Sequence, residues 1–138
     1  MGLMEKKTYA IQDVSRLTGL TAHTLRYYEK IGLVRGIERD ACGYRLYTES
    51  DIAWLEFLIR LRETGMSIQE MIRFSALRAE GEATIRQRRE LLELHERTVR
   101  GKLAELQNNL GKIEEKIVHY KLLEEERGER GAARTGNP

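Results

Sequence analysis

Two hydrophobic periods divide the chain near Gly81. Before it, apolar residues fall in short sets, several opened by a helix-capping residue and closed by a glycine. Val14 and Leu17 predict a helix over Gln12–Thr18 with both side chains inward and Gly19 as its stop. Thr21 is the N-cap of a second helix, from Ala22 to Ile31, closed by Gly32. Steps of three and four residues put Leu25, Tyr28 and Ile31 on its inner side, with Leu20, His23, Thr24 and Tyr27 on another. Leu33–Val34 and Tyr44–Tyr47 are strand candidates, joined by Arg35–Gly43 with Gly43 at the turn. Thr48-Glu-Ser-Asp51 and Ser67-Ile-Gln-Glu70 are capping-box patterns. They open a third helix, to Thr64 before Gly65, and a fourth, to Ala79. Ile52, Leu55, Phe57, Leu58, Ile59 and Leu61 on the third helix, with Ile68, Met71, Ile72 and Phe74 on the fourth, are mostly core residues that close the domain over the first two helices. Trp54 reads as structural rather than as a ligand-binding aromatic.

After Gly81 the period becomes a heptad. Ile85, Leu92, Val99, Leu106, Ile113 and Tyr120 recur every seven residues, and Leu103, Leu110 and Ile117 follow Val99, Leu106 and Ile113 by four. Val99, Leu103, Leu106, Leu110, Ile113 and Ile117 therefore form an apolar seam on one long helix. Arg89 and Glu96 interrupt its earlier part. A helix of about 40 residues is about 60 Å long, more than so short a chain can cover with its own core, so the seam predicts a homodimer. Gly101 and Gly111 fall on the outer side and cost only helix propensity, about 1 kcal/mol each. After Leu123 the chain carries no periodicity and no large apolar side chain, and residues 123–138 are expected to be a disordered tail.

Composition narrows the function classes. The chain has 138 residues, 41% hydrophobic and 33% charged, with a net charge of +2. No apolar run approaches the roughly 18 residues of a membrane span, and Met1–Lys7 has no signal-peptide core, so no membrane partner is expected and the cytoplasm is the expected compartment. Charge is unevenly spread: residues 6–47 hold eight basic and four acidic groups, whereas residues 48–138 hold sixteen and seventeen. Positive potential is concentrated around the second helix, as an anionic partner requires. No Ser/His/Asp arrangement, paired carboxylates, phosphate-binding glycine loop or metal cluster appears, so an enzyme is not expected and no cofactor is implied.

The second helix presents a hydroxyl, imidazole, guanidinium and phenol front over an apolar back, which suits double-stranded DNA. Thr21, His23 and Thr24 lie near its N-terminus, where His23 and Thr24 are placed for base edges, and Arg26 and Tyr27 for phosphates. Arg45 and Tyr47 share one strand face by their period-two spacing, with Tyr44 and Leu46 on the other. Arg16, Lys6 and Lys7 are weaker DNA-binding candidates, equally readable as solvated surface.

T-x-x-T-L-R-Y-Y-E-x-x-G-L from Thr21, followed by G-Y-R-x-Y from Gly43, resembles the winged helix-turn-helix of the MerR family of transcription regulators. The resemblance is strong over residues 8–79 and extends to about 122. It implies a mainly α fold: a winged helix-turn-helix domain over 8–79, then a dimerisation helix over 80–122 forming an antiparallel coiled coil. On that analogy the segment Ile85–Leu94 packs against the partner's third and fourth helices, and Arg45 and Tyr47 meet DNA from the wing. It further implies promoter DNA as partner, bent and untwisted by a dimer in the presence of RNA polymerase. Metal-responsive relatives carry cysteines at the start of the long helix and in a loop after it, and drug-sensing relatives append a ligand domain; this chain shows neither feature.

The stretches WLEFLIRLRETGMSI and EGEATIRQRRELLE resemble the short, metal-independent subgroup linked to aldehyde, thiol or nitrosative stress. There a third-helix cysteine is the implied reactive group, and Arg60 stands in the equivalent turn here. Cys42, the only cysteine, lies in the wing near Arg39 and Arg45. It is a candidate redox residue, although an ordinary wing residue is the plainer reading, and one thiol with scattered His23, His95 and His119 makes no metal site. The small effector is left open. Two rival readings remain: an architectural DNA-bending protein that regulates no promoter, and a coiled-coil adaptor.

Overall fold

Short elements packed at steep angles need tight stops, and left-handed glycines provide them. In the structure, a computed structural model describing residues 7–135, Gly19 has φ 79° and its N–H closes the first helix on Ser15 O at 2.9 Å. The order is β1 (Thr8–Tyr9), α1 (Ile11–Thr18), α2 (Ala22–Lys30), β2 (Glu38–Arg39), β3 (Arg45–Thr48), α3 (Glu49–Glu63), α4 (Ile68–Glu80), a single 3-10 turn (Glu82–Thr84) and α5 (Ile85–Thr135). All four short helices start and stop within two residues of the sequence expectation. Thr48 and Asp51 complete the capping box of α3 in both directions, at 3.1 and 2.9 Å. Ser67 accepts from the Glu70 N–H at 3.1 Å, but its own hydroxyl, rather than its backbone, engages the Glu70 carboxylate.

The sheet departs from expectation. Its order is β1-β3-β2, with Thr8 opposite Thr48, Tyr9 opposite Tyr47, and Arg39 opposite Arg45. Leu33–Val34 is not a strand. Both of its N–H groups close the end of α2 on Tyr28 O, at 2.9 and 3.2 Å. The Leu33 carbonyl is taken by Trp54 Nε1 at 2.8 Å and Ser75 Oγ at 3.0 Å. With these backbone groups satisfied by a helix end and two side chains, the segment passes through the core instead of joining a ladder.

The chain divides into two compact units at His95 and Glu96. The first holds the core, in which Val14, Leu25, Leu33, Leu55, Leu58 and Met71 are almost wholly buried. Trp54 is structural: it stacks on Phe74 with centroids 5.7 Å apart, and Arg78 covers it at 4.3 Å. Two expected core residues are exposed, and Ile52, Phe57, Ile59 and Ile72 are half-buried. Leu17 is 58% exposed, because the two-turn α1 fills its inward position with Val14, and Ile68 sits exposed on the first turn of α4. The opening turns of α5 also belong here: Leu91 and Leu92 pack against the chain's own core. Thr84 is buried and donates to Gly81 O at 2.9 Å, while Arg88 donates to Thr84 Oγ1 at 3.1 Å and Gly81 O at 3.0 Å.

The second unit is the remainder of α5. Leu103, Leu106, Leu110, Ile113 and Ile117 are exposed along it and Val99 is half-buried. The break expected at Leu123 is absent, since helix continues to Thr135. Glu, Arg and Ala dominate those turns and no proline interrupts them, so propensity carries the helix past the end of the apolar pattern. Residues 136–138 of the expected tail lie outside the described residues.

Candidate nucleic-acid interface

Helix α2 is built with two faces. Leu25 and Tyr28 are buried, and Tyr28 is fixed by Arg62 Nη1, which donates to its hydroxyl at 3.0 Å. Thr21 caps the helix, accepting from the Thr24 N–H at 3.0 Å and donating to the Thr24 hydroxyl at 3.0 Å. His23, Arg26, Tyr27 and Lys30 are exposed on the opposite side, and Thr24 is partly so. His23, Thr24, Arg26 and Tyr27 are the front that the sequence predicts, and Lys30 adds to it. Arg26 and Lys30 have no carboxylate partner among the described residues, so both charges stand ready for an external anion. Arg16 is held by Asp13, a solvated pair of little stability that an anion can displace. The Lys7 ammonium lies 5.3 Å from the Tyr9 ring. Lys6 is outside the described residues.

The wing is a short hairpin. Gly43 at φ 86° makes the turn, and Asp40 Oδ1 accepts from the Cys42 and Tyr44 N–H groups, both at 2.9 Å. Cys42 is exposed. Arg39 and Arg45, expected near its thiol, are both engaged by a carboxylate. Glu29, at the end of α2, accepts from Arg45 Nε at 2.6 Å and pairs with Arg39 Nη2 at 3.6 Å. Arg39 also donates to Gly43 O at 3.2 Å.

Tyr47 is not a DNA-facing residue. It is 1% exposed, and its hydroxyl is buried without a hydrogen-bond partner. Period-two alternation fails here because β3 is the central strand, paired on both edges and packed by α1 and α3, so Tyr47 and Thr48 are both buried. Burial pushes the Tyr47 phenol above its ordinary value of 10.0, with the Arg45 charge acting in the opposite sense. Tyr44, assigned to the far face, is the exposed wing aromatic at 72%. A cleft of about 350 Å³ lies between the N-terminus of α1 and the wing, lined by Ile11, Arg26, Tyr44 and Arg45 among others.

Three residues of this face escaped the sequence reading, Lys30, Tyr44 and Glu29. Glu29 had one signal, as one of only four acids in the basic stretch 6–47. Among the described residues no group of three metal-ligating side chains occurs. No helix there is long and apolar enough to cross a membrane.

Comparison with known proteins agrees with this geometry. The model of the MerR HTH family regulatory proteins matches residues 9–76. An uncharacterised HTH-type transcriptional regulator of Haemophilus influenzae is 36% identical over 113 residues, 82% of this chain and 84% of its own length. The chain belongs to the MerR family. Another MerR-like relative, the HTH-type transcriptional regulator AdhR of Bacillus subtilis, is 43% identical over 82 residues, 59% of each chain. Among solved structures, HiNmlR, a MerR family regulator lacking the sensor domain and bound to promoter DNA, aligns with a TM-score of 0.77 at 36% identity. That alignment covers 83% of this chain and 91% of HiNmlR. A MerR family regulator from Bacillus thuringiensis aligns with a TM-score of 0.72 at 34% identity, covering 81% of this chain and 98% of the other. MerR membership accounts for the mainly α winged helix-turn-helix fold and for a transcription-regulating role.

Proposed function

We propose that the protein is a homodimeric, cytoplasmic MerR-type regulator that grips promoter duplex with two α2–wing units and bends and untwists it where RNA polymerase binds. The observation carrying this reading is the exposed α2 front of His23, Thr24, Arg26, Tyr27 and Lys30, beside a wing whose Arg45 is tied to the same helix. HiNmlR, bound to promoter DNA without a sensor domain, supports it. Base edges are read by His23 and Thr24, and phosphates are met by Arg26, Tyr27, Arg45 and Tyr44. Few base contacts on such a front leave much of the discrimination to DNA shape and deformation.

The seam supplies the second half of the site. Its midpoint falls at residue 108, and antiparallel pairing about that point matches apolar with apolar throughout: Val99 with Ile117 of the partner subunit, Leu103 with Ile113 of the partner subunit, and Leu106 with Leu110 of the partner subunit. Such a coil fixes the separation of two wings, which is what a bending device needs. The test is energy transfer between dyes at the two ends of a bound duplex. The dimer should shorten the end-to-end distance on duplexes it prefers, and unchanged transfer on a tightly bound duplex would contradict the bending mechanism.

A further inference from the structure

The single carboxylate joining α2 to the wing is placed where it controls how the two engage DNA together. Arg39 and Arg45 face each other across the β2–β3 pair, an arrangement of like charges that destabilises a hairpin left to itself. Glu29 reaches both, and so offsets that repulsion while tying both strands to the end of α2. Residues 38–44 are all exposed, so the distal hairpin has no buried side chain of its own to fix its angle. Arg45 is the firmer anchor: its side chain and that of Glu29 are each about three-quarters covered, at 22% and 24% exposure. The bond uses only its Nε donor, leaving both Nη groups for a phosphate.

We propose that Glu29 is a positioning residue for DNA recognition. Its carboxylate sets the wing angle against α2, so base reading and wing contact are satisfied together only on a correctly shaped duplex. This inference rests on the DNA-binding reading above. It makes an unusual demand, because an acid inside a basic DNA-binding face should weaken binding on charge grounds alone. Removing the charge and removing the geometry must therefore have opposite effects.

The experiment uses the full chain and two duplexes of equal length, one selected from a random pool by the wild-type protein and one of random sequence, titrated over a range of salt. Glu29→Asp keeps the charge but withdraws it by about 1.5 Å, one carbon–carbon bond. It should lower the selected-to-random affinity ratio about tenfold, the size of one mismatched base pair, with the salt slope unchanged. Glu29→Gln should lower the ratio similarly while tightening binding to the random duplex and steepening its salt dependence. Wild-type discrimination in Glu29→Asp, or equal fold-changes on both duplexes in either variant, would overturn the proposal. So would a melting point more than about 10 °C low in both variants, for Glu29 would then hold the fold rather than the wing angle. Should the wild-type protein itself show no preference for the selected duplex, the regulator reading fails first, independently of Glu29.

Discussion

Placing two lysines at the centre of the seam, Leu106→Lys with Leu110→Lys, should abolish the dimer. Five seam side chains, Leu103, Leu106, Leu110, Ile113 and Ile117, are between 48% and 66% exposed on the single chain. Full burial of a Leu or Ile is worth about 1.5–3 kcal/mol, so covering the exposed half contributes about 1 kcal/mol each, or about 10 kcal/mol over the ten in a dimer. Each lysine forfeits its share of that and adds several kcal/mol if its ammonium is buried unpaired. In the antiparallel register position 106 faces position 110 of the partner, so the four ammoniums meet as two repelling pairs. The penalty then exceeds the whole apolar gain. Light scattering should report about 16.0 kDa, the mass of one chain, in place of twice that value. The companion variant Leu106→Lys with Leu110→Glu separates the registers, since antiparallel pairing puts lysine against glutamate and parallel pairing puts like against like. It should recover part of the dimer. A stable dimer in the double-lysine variant would refute the seam, and recovery failing while wild type dimerises would refute the antiparallel register.

Arg26→Ala, which removes a cation without an internal partner, should weaken binding to selected and random duplexes by similar factors and reduce the slope of log K against log salt by about one per site, about two per dimer; loss confined to one base position would place Arg26 in the groove. Tyr47→Phe should raise stability by about 1 kcal/mol, about 5 °C in melting temperature, because it deletes a buried hydroxyl that has no partner, and should leave DNA affinity within threefold. The folded-state pKa of Tyr47 is raised, so its contribution is complete below pH 10.0 and is lost as pH climbs from there towards the folded value; the phenylalanine variant should lack that alkaline loss in thermal melts, and an unchanged alkaline limb would contradict the assignment. Cys42→Ser, in an exposed turn held by Asp40 rather than by the thiol, should keep DNA affinity within about 1 kcal/mol; loss of electrophile response with retained binding would make Cys42 the sensor.

Helix positions and caps were legible in the sequence because they are local. Thr21, Thr48, Ser67 and Gly19 each act on backbone within four residues; three do what their positions predict, and Ser67 caps its helix without completing the box. The long helix was legible for the same reason, and Glu29 escaped because its partners lie ten and sixteen residues away across a hairpin. Tyr47 went astray because period-two alternation presumes one wet face, whereas β3 is the central strand and meets both α1 and α3. Leu33–Val34 looked like a strand from its β-branched, apolar character. It became a buried crossing because Trp54 and Ser75, 21 and 42 residues distant, hold its carbonyl. Local chemistry is readable along the chain, while long-range hydrogen bonds decide which apolar pair becomes a strand.

The central claim, a dimer acting on promoter spacers, is tested most directly by sequencing the genomic duplexes that the purified protein retains at physiological salt. The expected result is an inverted repeat, read by two α2 helices, centred between promoter elements set further apart than polymerase prefers. Retained fragments with no shared repeat, or repeats lying outside promoters altogether, would contradict it.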